Sequence, residues 1–534
     1  MNWRRVRELA ATGRGFVGFL RRPIDVHEAI DDIKAHVSNR EDRFLSTTKE
    51  LIYGYSGSPY RKLLLWAGCE FGDLVVMVRK DGVEMTLHRL RDAGVYVTLD
   101  EFKSRMPIVR AGMLVETRET DFNRPVRSNF AVVGSTSGSR LRETPVAYNW
   151  DFLAEEATEE ALLFEIHGLM ETPFALWFPR LPAMAGIHNL LMQIKYCKIP
   201  RKWFSQIEQD SRDMTFLQRA AVPYVRILSR LAGMSVPRPE YADFNYVGPV
   251  VDWIVKEKRE HGRSALKTYT SSAMRIAQYA ADHGVDISGT LIFTGGEPLT
   301  RRRAEFMKAL GIQPYARYVA TEAGIIGASC TEIRAADDMH IYTDRIALIQ
   351  RRHKIAQTDH EVATFLLTAL SRNTPKVLFN TELGDFGDVE VRPCGCLFGS
   401  MGMNLHVSGV RSYDKLTGEG MTLLGSELGE VVATLIEECK GSPDDFQFWE
   451  DEDSSGFTKV IVAVSSRVSL PGEQIFADRI LARLRLRNEG SRMTSQMWEQ
   501  AATLEVIRAH PVMTKRFKLL PLMKKSGQPG EKRP

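Results

Sequence analysis

The sequence predicts an α/β protein: a large body of several subdomains followed by a small α+β domain. Three observations lead there. The chain has 534 residues, more than one hydrophobic core usually organises, so two or three domains are expected. From Phe130 onward, apolar runs of strand character alternate with helical stretches, the pattern of an α/β body. After Ser408 the texture turns polar and glycine-containing, and a compact mixture of helices and strands of about 120 residues follows, enough for a separate small domain.

Taken in order, residues 1–22 carry Arg4, Arg5, Arg7, Arg14, Arg21 and Arg22 around Trp3, Val6, Leu9, Phe16, Phe19 and Leu20. Arg14 interrupts any signal-like apolar run, so a helix packed on the body is expected ahead of a membrane-surface helix or a leader. Ser56-Gly-Ser-Pro-Tyr60 is a turn, and Leu99-Asp-Glu-Phe-Lys starts a helix with Asp100 as its candidate cap. Strands are expected at 130–133, 174–178, 290–293 and 315–320, and helices at 272–283 and 301–310. The last part reads as a helix at 427–438, strands at 445–449 and 459–464, a helix at 473–486 and a strand at 503–507. A boundary near 409–415 divides the chain into domains 1–409 and 410–534. The Lys/Gly/Pro-rich tail, 524–534, is expected to fray.

Composition narrows the function classes. Hydrophobic residues make up 44% and charged residues 26% of the chain, and no apolar run approaches the roughly 20 residues of a transmembrane segment, so a soluble protein is expected. A net charge of +4 on so long a chain gives no reason to expect nucleic-acid binding. Six cysteines, Cys69, Cys197, Cys330, Cys394, Cys396 and Cys439, are too sparse for a disulfide framework, and a cytoplasmic location fits. Walker-type, His-Glu-x-x-His and Gly-x-Ser-x-Gly signatures are missing, which lowers the prospect of a P-loop NTPase, a zincin or an α/β-hydrolase.

The most informative segment is Ala131-Val-Val-Gly-Ser-Thr-Ser-Gly-Ser-Arg-Leu-Arg142, where an apolar run passes into small hydroxyl residues, glycine and arginine. Such a loop brings backbone N–H groups, hydroxyls and guanidinium groups to a phosphate. By itself such a segment is more often only an ordinary turn before a helix. Four further segments follow it in order. Thr294-Gly-Gly-Glu-Pro-Leu-Thr300 has paired glycines that would let a flat ligand lie on the backbone. Tyr318-Val-Ala-Thr-Glu-Ala-Gly324 puts an aromatic ring, a hydroxyl and a carboxylate at a strand end, where α/β proteins hold ligands. Thr381-Glu-Leu-Gly-Asp385 supplies a carboxylate able to accept two hydroxyl hydrogen bonds. Arg411-Ser-Tyr-Asp-Lys415 adds a cation at the domain boundary.

In the order and spacing of these five motifs the sequence resembles the adenylate-forming acyl and aryl ligases, in their phenylacetate–coenzyme A ligase branch. The resemblance implies a large N-terminal adenylation domain with a small mobile C-terminal domain. It assigns Ser135, Thr136, Ser137, Gly138 and Ser139 to the phosphate loop, Gly295, Gly296 and Glu297 to the adenine-binding segment, and Tyr318 to the aromatic motif. Thr321 then lies near the α-phosphate, Glu322 is a Mg²⁺ ligand, Asp385 binds the ribose, and Arg411 is the arginine beside a hinge at Asp414 or Lys415. A C-terminal lysine completes the adenylation site in this family, and the spacing from Thr514 favours Lys518 over Lys515. Departures are present: Arg140, Leu141, Arg142 and Glu143 replace the usual Thr-Gly-x-Pro and lysine, and Val319, Val410 and Phe517 stand where glycine is normal. Arginine can serve a phosphate, but with a planar fork instead of a point charge.

Cys330, His340, Cys394 and Cys396 form a second constellation, three thiols and an imidazole suited to a closed tetrahedral Zn²⁺ site. Similar cysteine placement occurs in some members of the branch. Buried ordinary cysteines are the alternative, and a zinc here would be structural. His167 and His188 read as core histidines, and Trp177, Phe178 and Phe293 as core aromatics ahead of an acyl pocket.

The chemistry that the resemblance implies is activation of a small carboxylic acid by ATP and Mg²⁺ to an acyl-adenylate, then transfer to a thiol, with coenzyme A first in line. Catalysis would rest on in-line positioning and charge neutralisation, with no protein nucleophile. A carrier-protein thiol as acceptor and a catalytically silent nucleotide-binding relative are the alternatives, and a homodimer is compatible with all three.

Overall fold

The structure is a computed structural model and describes residues 13–125, 130–136, 144–181, 183–207, 216–354, 361–412, 415–418, 421–442, 445–453, 455–487, 489–509 and 522–524. A twelve-stranded sheet organises the body. Six strands form its parallel half: Phe174–Trp177, Lys202–Ser205, Pro239–Tyr241, Ala265–Tyr269, Leu291–Gly295 and Gln313–Ala320. Numbered by chain position, they lie in the order 3-2-1-4-5-6, the doubly wound arrangement whose strand order reverses between its first and fourth strands. Phe174–Trp177, Ala265–Tyr269 and Leu291–Gly295 are buried throughout and read as mostly apolar runs, whereas Pro239–Tyr241 at the sheet edge is largely exposed.

The other half is antiparallel. Gly324–Ala328 turns back from Gln313–Ala320 and is followed across the sheet by Met339–Ile341, Leu405–Ser412, Thr381–Val391, Glu361–Ala369 and Ile346–Lys354. The turn between the halves passes through Thr321 and Glu322. Gly324 there has φ +76°, and a Cβ on it would fall 2.1 Å from Glu156 Oε1, so the position demands glycine on two counts.

Most expected elements are present within a few residues. The helices are Thr270–His283 and Arg301–Ala309, and the strand at 130–133 extends to Phe130–Thr136. One cap differs: Thr98, not Asp100, caps Leu99–Phe102, its hydroxyl accepting from Glu101 N while Glu101 returns to Thr98 N. The turn at Ser56–Tyr60 ends with Ser58 capping the helix Pro59–Trp66. Residues 13–20 form the expected packed helix, with Phe16 and Phe19 buried against Trp150. No helix among the described residues is long and apolar enough to cross a membrane.

The last part builds a core of its own, centred on Leu428, Phe448, Val462, Phe476 and Trp498. Gly425–Glu438 and Glu473–Arg485 pack on a four-stranded sheet that includes Phe446–Glu452, Thr458–Val464 and Leu504–Arg508. A hairpin, Lys415–Gly418 with Met421–Leu424, and the helix Glu489–Gln500 were not expected. Arg303 joins this unit to the body, donating to Gly456 O at 2.8 Å and Thr458 Oγ1 at 2.7 Å.

The helix Trp150–Ile166 lies across the seam of the sheet and buries Glu156, Glu159 and Glu160 completely. Glu160 meets Lys267 and, at 2.8 Å, Arg317, both in the parallel half. Replacing Glu160 with Ala strands two buried cations, and a loss of about 3–5 kcal/mol is expected. Denaturant titration checks this as a fall in the unfolding midpoint.

Candidate functional site

Two of the motif segments come together at the ends of adjacent parallel strands. Leu291–Gly295 runs beside Gln313–Ala320 with Thr294 opposite Ala316, so Gly295, Gly296 and Glu297 leave the sheet beside Tyr318, Thr321 and Glu322. Gly296 turns the chain with φ +78°. The Glu297 carboxylate itself is taken up by a helix: it accepts from Ser271 N at 3.0 Å and Ser271 Oγ at 2.9 Å, while Thr270 Oγ1 donates to Glu297 O. That satisfies donors at the start of Thr270–His283 and leaves the backbone of this segment, more than its acid, to face a ligand.

Tyr318 and Asp385 meet across the seam. The phenol donates to Asp385 Oδ2 at 2.9 Å, although 67 residues separate the two. Burial, then the neighbouring carboxylate, holds the Tyr318 hydroxyl well above the usual phenol range, so it stays a donor. Asp385 sits on Thr381–Val391, paired with Leu405–Ser412 such that Phe386 faces Arg411. The Arg411 guanidinium does not reach this pair. It donates to Val410 O at 2.7 Å and to Asp337 Oδ2 at 3.4 Å.

The phosphate-loop segment is a hairpin. Phe130–Thr136 pairs antiparallel with Thr144–Asn149, bringing Ser135 opposite Pro145 and Thr136 opposite Thr144. Ser137, Gly138 and Ser139 lie outside the described residues, as do Arg140, Arg142, Asp414, Lys515 and Lys518. Lys415 opens the strand Lys415–Gly418. The returning arm of the hairpin touches the Thr-Glu turn, Tyr148 Oη donating to Thr321 O at 2.8 Å. Beneath that contact His188 stacks on Tyr148 and bonds Glu156 Oε2 through Nε2 at 2.6 Å.

Glu322 is buried among charges that no motif announced. Its Oε1 accepts from Lys103 Nζ at 2.8 Å, and Glu119 Oε1 lies 4.0 Å from the same ammonium. Burial opposes the charge on Lys103, but Glu322 and Glu119 outweigh it and hold the lysine above its usual range. Burial raises the Glu119 carboxyl. Lys376, which donates to Glu119 O at 3.0 Å, is lowered to about 8 by burial and then by Lys103. These residues come from 103, 119 and 376, remote in sequence and in ordinary polar surroundings, so no sequence signal marks them. A helical signal was available for another missed group: the acidic pairs Glu155-Glu156 and Glu159-Glu160 interrupt an otherwise apolar helix.

The Cys330, His340, Cys394 and Cys396 donor atoms all lie within 4.8 Å of one another. Cys330 Sγ and Cys394 Sγ are 3.8 Å apart and Cys396 Sγ is 3.2 Å from His340 Nε2, against about 3.8 Å between sulfurs in a tetrahedral zinc site. His340 Nδ1 bonds Met403 O at 2.7 Å, which leaves Nε2 aimed at the thiols in the tautomer a metal requires. The thiol of Cys330, then the His340 imidazole, draws Cys396 far below the usual thiol range. Three soft sulfurs and an imidazole fit zinc. His167 bonds Ser329 O at 3.0 Å, and Trp177, Phe178 and Phe293 are buried in the core.

No protein-family model and no curated protein matches the sequence. Solved structures do. The chain is 15% identical to 2-hydroxyisobutyryl-CoA ligase in complex with 2-HIB-AMP and CoA in the thioesterification state, over 95% of this chain and 92% of that one, with a TM-score of 0.52. The same ligase in the postadenylation state, with 2-HIB-AMP, matches at 14% identity over 95% and 91%, TM-score 0.44. A malonyl-CoA ligase ternary product complex matches at 14% identity over 78% and 91%, TM-score 0.40. The chain therefore has the fold of an acyl-CoA ligase, the large body and small C-terminal unit that the motif series implied.

Lys376 carries a pH signature. Its folded pKa lies near 8, below the 10.5 of a free lysine, so between those values the unfolded chain binds more protons and stability rises with pH. In Lys376→Met that contribution is absent. Wild-type protein should gain on the variant from about pH 8 to 10 in denaturant midpoints, and a constant difference across that window would contradict the assignment.

Proposed function

We propose that this protein activates a carboxylic acid with ATP, forming an acyl-adenylate and pyrophosphate, and transfers the acyl group to a thiol, with coenzyme A as the acceptor. The observation that carries the reading is the Tyr318–Asp385 pair beside the Thr321–Glu322 turn. A carboxylate held by a phenol at the end of a parallel strand is suited to the two hydroxyls of a ribose, and the ring above it to a flat base. Gly295 and Gly296 give the base a backbone to lie against, and Ser135 and Thr136, on the strand paired with the one that carries Tyr148, serve the phosphates together with Ser137, Gly138 and Ser139.

A carboxylate is too poor an electrophile to acylate a thiol directly. One of its oxygens attacks the α-phosphorus, pyrophosphate leaves, and the resulting anhydride is open to thiolate attack with AMP as the leaving group. The protein's part is alignment and charge neutralisation. Glu322 offers the hard oxygen that Mg²⁺ prefers, and one carboxylate suffices because nucleotide phosphates and water complete the shell; magnesium would supply neutralisation of phosphoryl charge. In this reading the Thr321 hydroxyl donates to the α-phosphate. Lys518 approaches the reacting carboxylate from the small C-terminal domain, 410–534, which turns about Asp414 or Lys415 to exchange adenylation for transfer.

Cys330, His340, Cys394 and Cys396 hold a structural Zn²⁺, with no position left open for substrate. This set supports the phenylacetate–coenzyme A ligase branch.

Pyrophosphate release over a panel of aryl and aliphatic acids tests the reading. ATP-dependent release with at least one acid is expected. Lys518→Ala should lose acid-dependent pyrophosphate exchange by about 10²-fold or more while still binding ATP, and wild-type exchange in that variant would remove Lys518 from the reaction. Elemental analysis of the same sample should find one zinc per chain, absent from Cys396→Ser. ATP binding with no release from any acid would instead favour a silent nucleotide-binding relative.

A further inference from the structure

The charges around Glu322 carry a consequence for the order of binding. Lys103 Nζ donates to Glu322 Oε1 at 2.8 Å, and both side chains are less than a tenth exposed. A divalent cation bound to that carboxylate would sit within about 2.1 Å of an oxygen, against a buried ammonium already on it. Two cations cannot share one buried carboxylate at such range without strong repulsion, so the ammonium has to leave when the metal arrives. Leaving for water is closed to it. Lys103 is buried, with its ammonium over the Phe102 ring at 5.8 Å and the Lys376 ammonium over the same ring at 5.7 Å.

Glu119 is the second anion within reach. Its Oε1 is 4.0 Å from Lys103 Nζ, so a small rotation about the end of the lysine chain exchanges one carboxylate for the other. The Glu119 backbone carbonyl is anchored by Lys376 Nζ at 3.0 Å, which fixes the acceptor in position. Lys103, Lys376 and Arg105 all act on Glu119, so this carboxylate is an anion among cations as the cluster stands.

We propose that Lys103 is a two-position cation, held on Glu322 before nucleotide binds and transferred to Glu119 when a divalent metal enters with the nucleotide. It is a positioning residue: it neutralises the buried Glu322 carboxylate before the metal comes and competes with the metal for it, while Glu119 lowers the cost of the exchange. The inference rests on the proposed function, because it requires a metal–nucleotide at Glu322.

The test is calorimetric and needs no turnover. The affinity of α,β-methylene-ATP is measured in metal-depleted buffer and again with saturating Mn²⁺, and the ratio of the two dissociation constants reports how much the metal helps. Removing the competitor in Lys103→Met should raise that ratio about tenfold, and removing the alternative anion in Glu119→Gln should lower it by a similar factor. Glu119→Gln should have no effect in the Lys103→Met background, and Lys103→Arg should keep the wild-type ratio. Fixed charges alone would give opposite signs in the two single variants, so the double variant decides, because a fixed Glu119 would keep its effect when Lys103 is gone. An unchanged ratio in a folded Lys103→Met, or the same Glu119→Gln effect in both backgrounds, would overturn the inference. Wild-type protein that binds no nucleotide in either buffer would overturn the proposed function as well, whereas binding with unchanged ratios strikes this inference alone.

Discussion

The helix Trp150–Ile166 holds the two halves of the central sheet together through buried carboxylates, and the site depends on that clamp. Glu160 reaches Lys267 and Arg317 in the parallel half. Glu156 accepts from Ile325 N at 2.6 Å, in the first antiparallel strand, and Glu159 binds Arg345, whose guanidinium also donates to Ile325 O at 2.7 Å. Glu155 takes Ser371 Oγ and Asn373 Nδ2 on the far side. Buried charges are tolerable only with partners in place, so each pairing admits one register between helix and sheet.

That register decides where the candidate ligand groups lie. Glu156 fits because residue 324 is glycine, and Gly324 is the point at which the sheet changes from parallel to antiparallel. The turn at that change presents Thr321 and Glu322. The seam also brings Asp385, from the antiparallel half, onto Tyr318 from the parallel half. The hairpin 130–149 leads directly into the clamping helix, so the arm that carries Tyr148 onto Thr321 is oriented by the same glutamates. A site assembled this way belongs to neither half alone.

Much of this was legible in the sequence, for physical reasons that differ by element. Strands buried on both faces appear as apolar runs, so those at 174–178, 290–293 and 315–320 could be placed within a few residues. The ligand segments at Gly295, Thr321 and Asp385 stand at strand ends, where local composition departs from the core pattern. The four zinc-suited residues were visible by type, and the fold brings them together because Met339–Ile341 and the loop before Leu405–Ser412 pack beside Cys330. Lys103, Glu119 and Lys376 were not legible, since three common polar residues acquire meaning only when the fold collects them from a helix end, a short helical turn and a loop around Glu322. The Thr98 cap was missed in favour of Asp100 because both residue types cap helices, and the reciprocal bond from Glu101 settles the choice. Arg411 shows the opposite case: its motif was readable, but its partner in this arrangement, Asp337, was not.

Acid activation by nucleotide is tested most directly by the fate of the carboxylate oxygen. With an accepted acid labelled in both carboxylate oxygens with oxygen-18, ATP and the thiol acceptor, attack on the α-phosphorus leaves one labelled oxygen on the phosphate of AMP after acyl transfer. Mass spectrometry of the nucleotide should find that single label in AMP and none in pyrophosphate. Unlabelled AMP formed together with thioester, or label recovered in pyrophosphate or inorganic phosphate, would contradict activation through an acyl-adenylate.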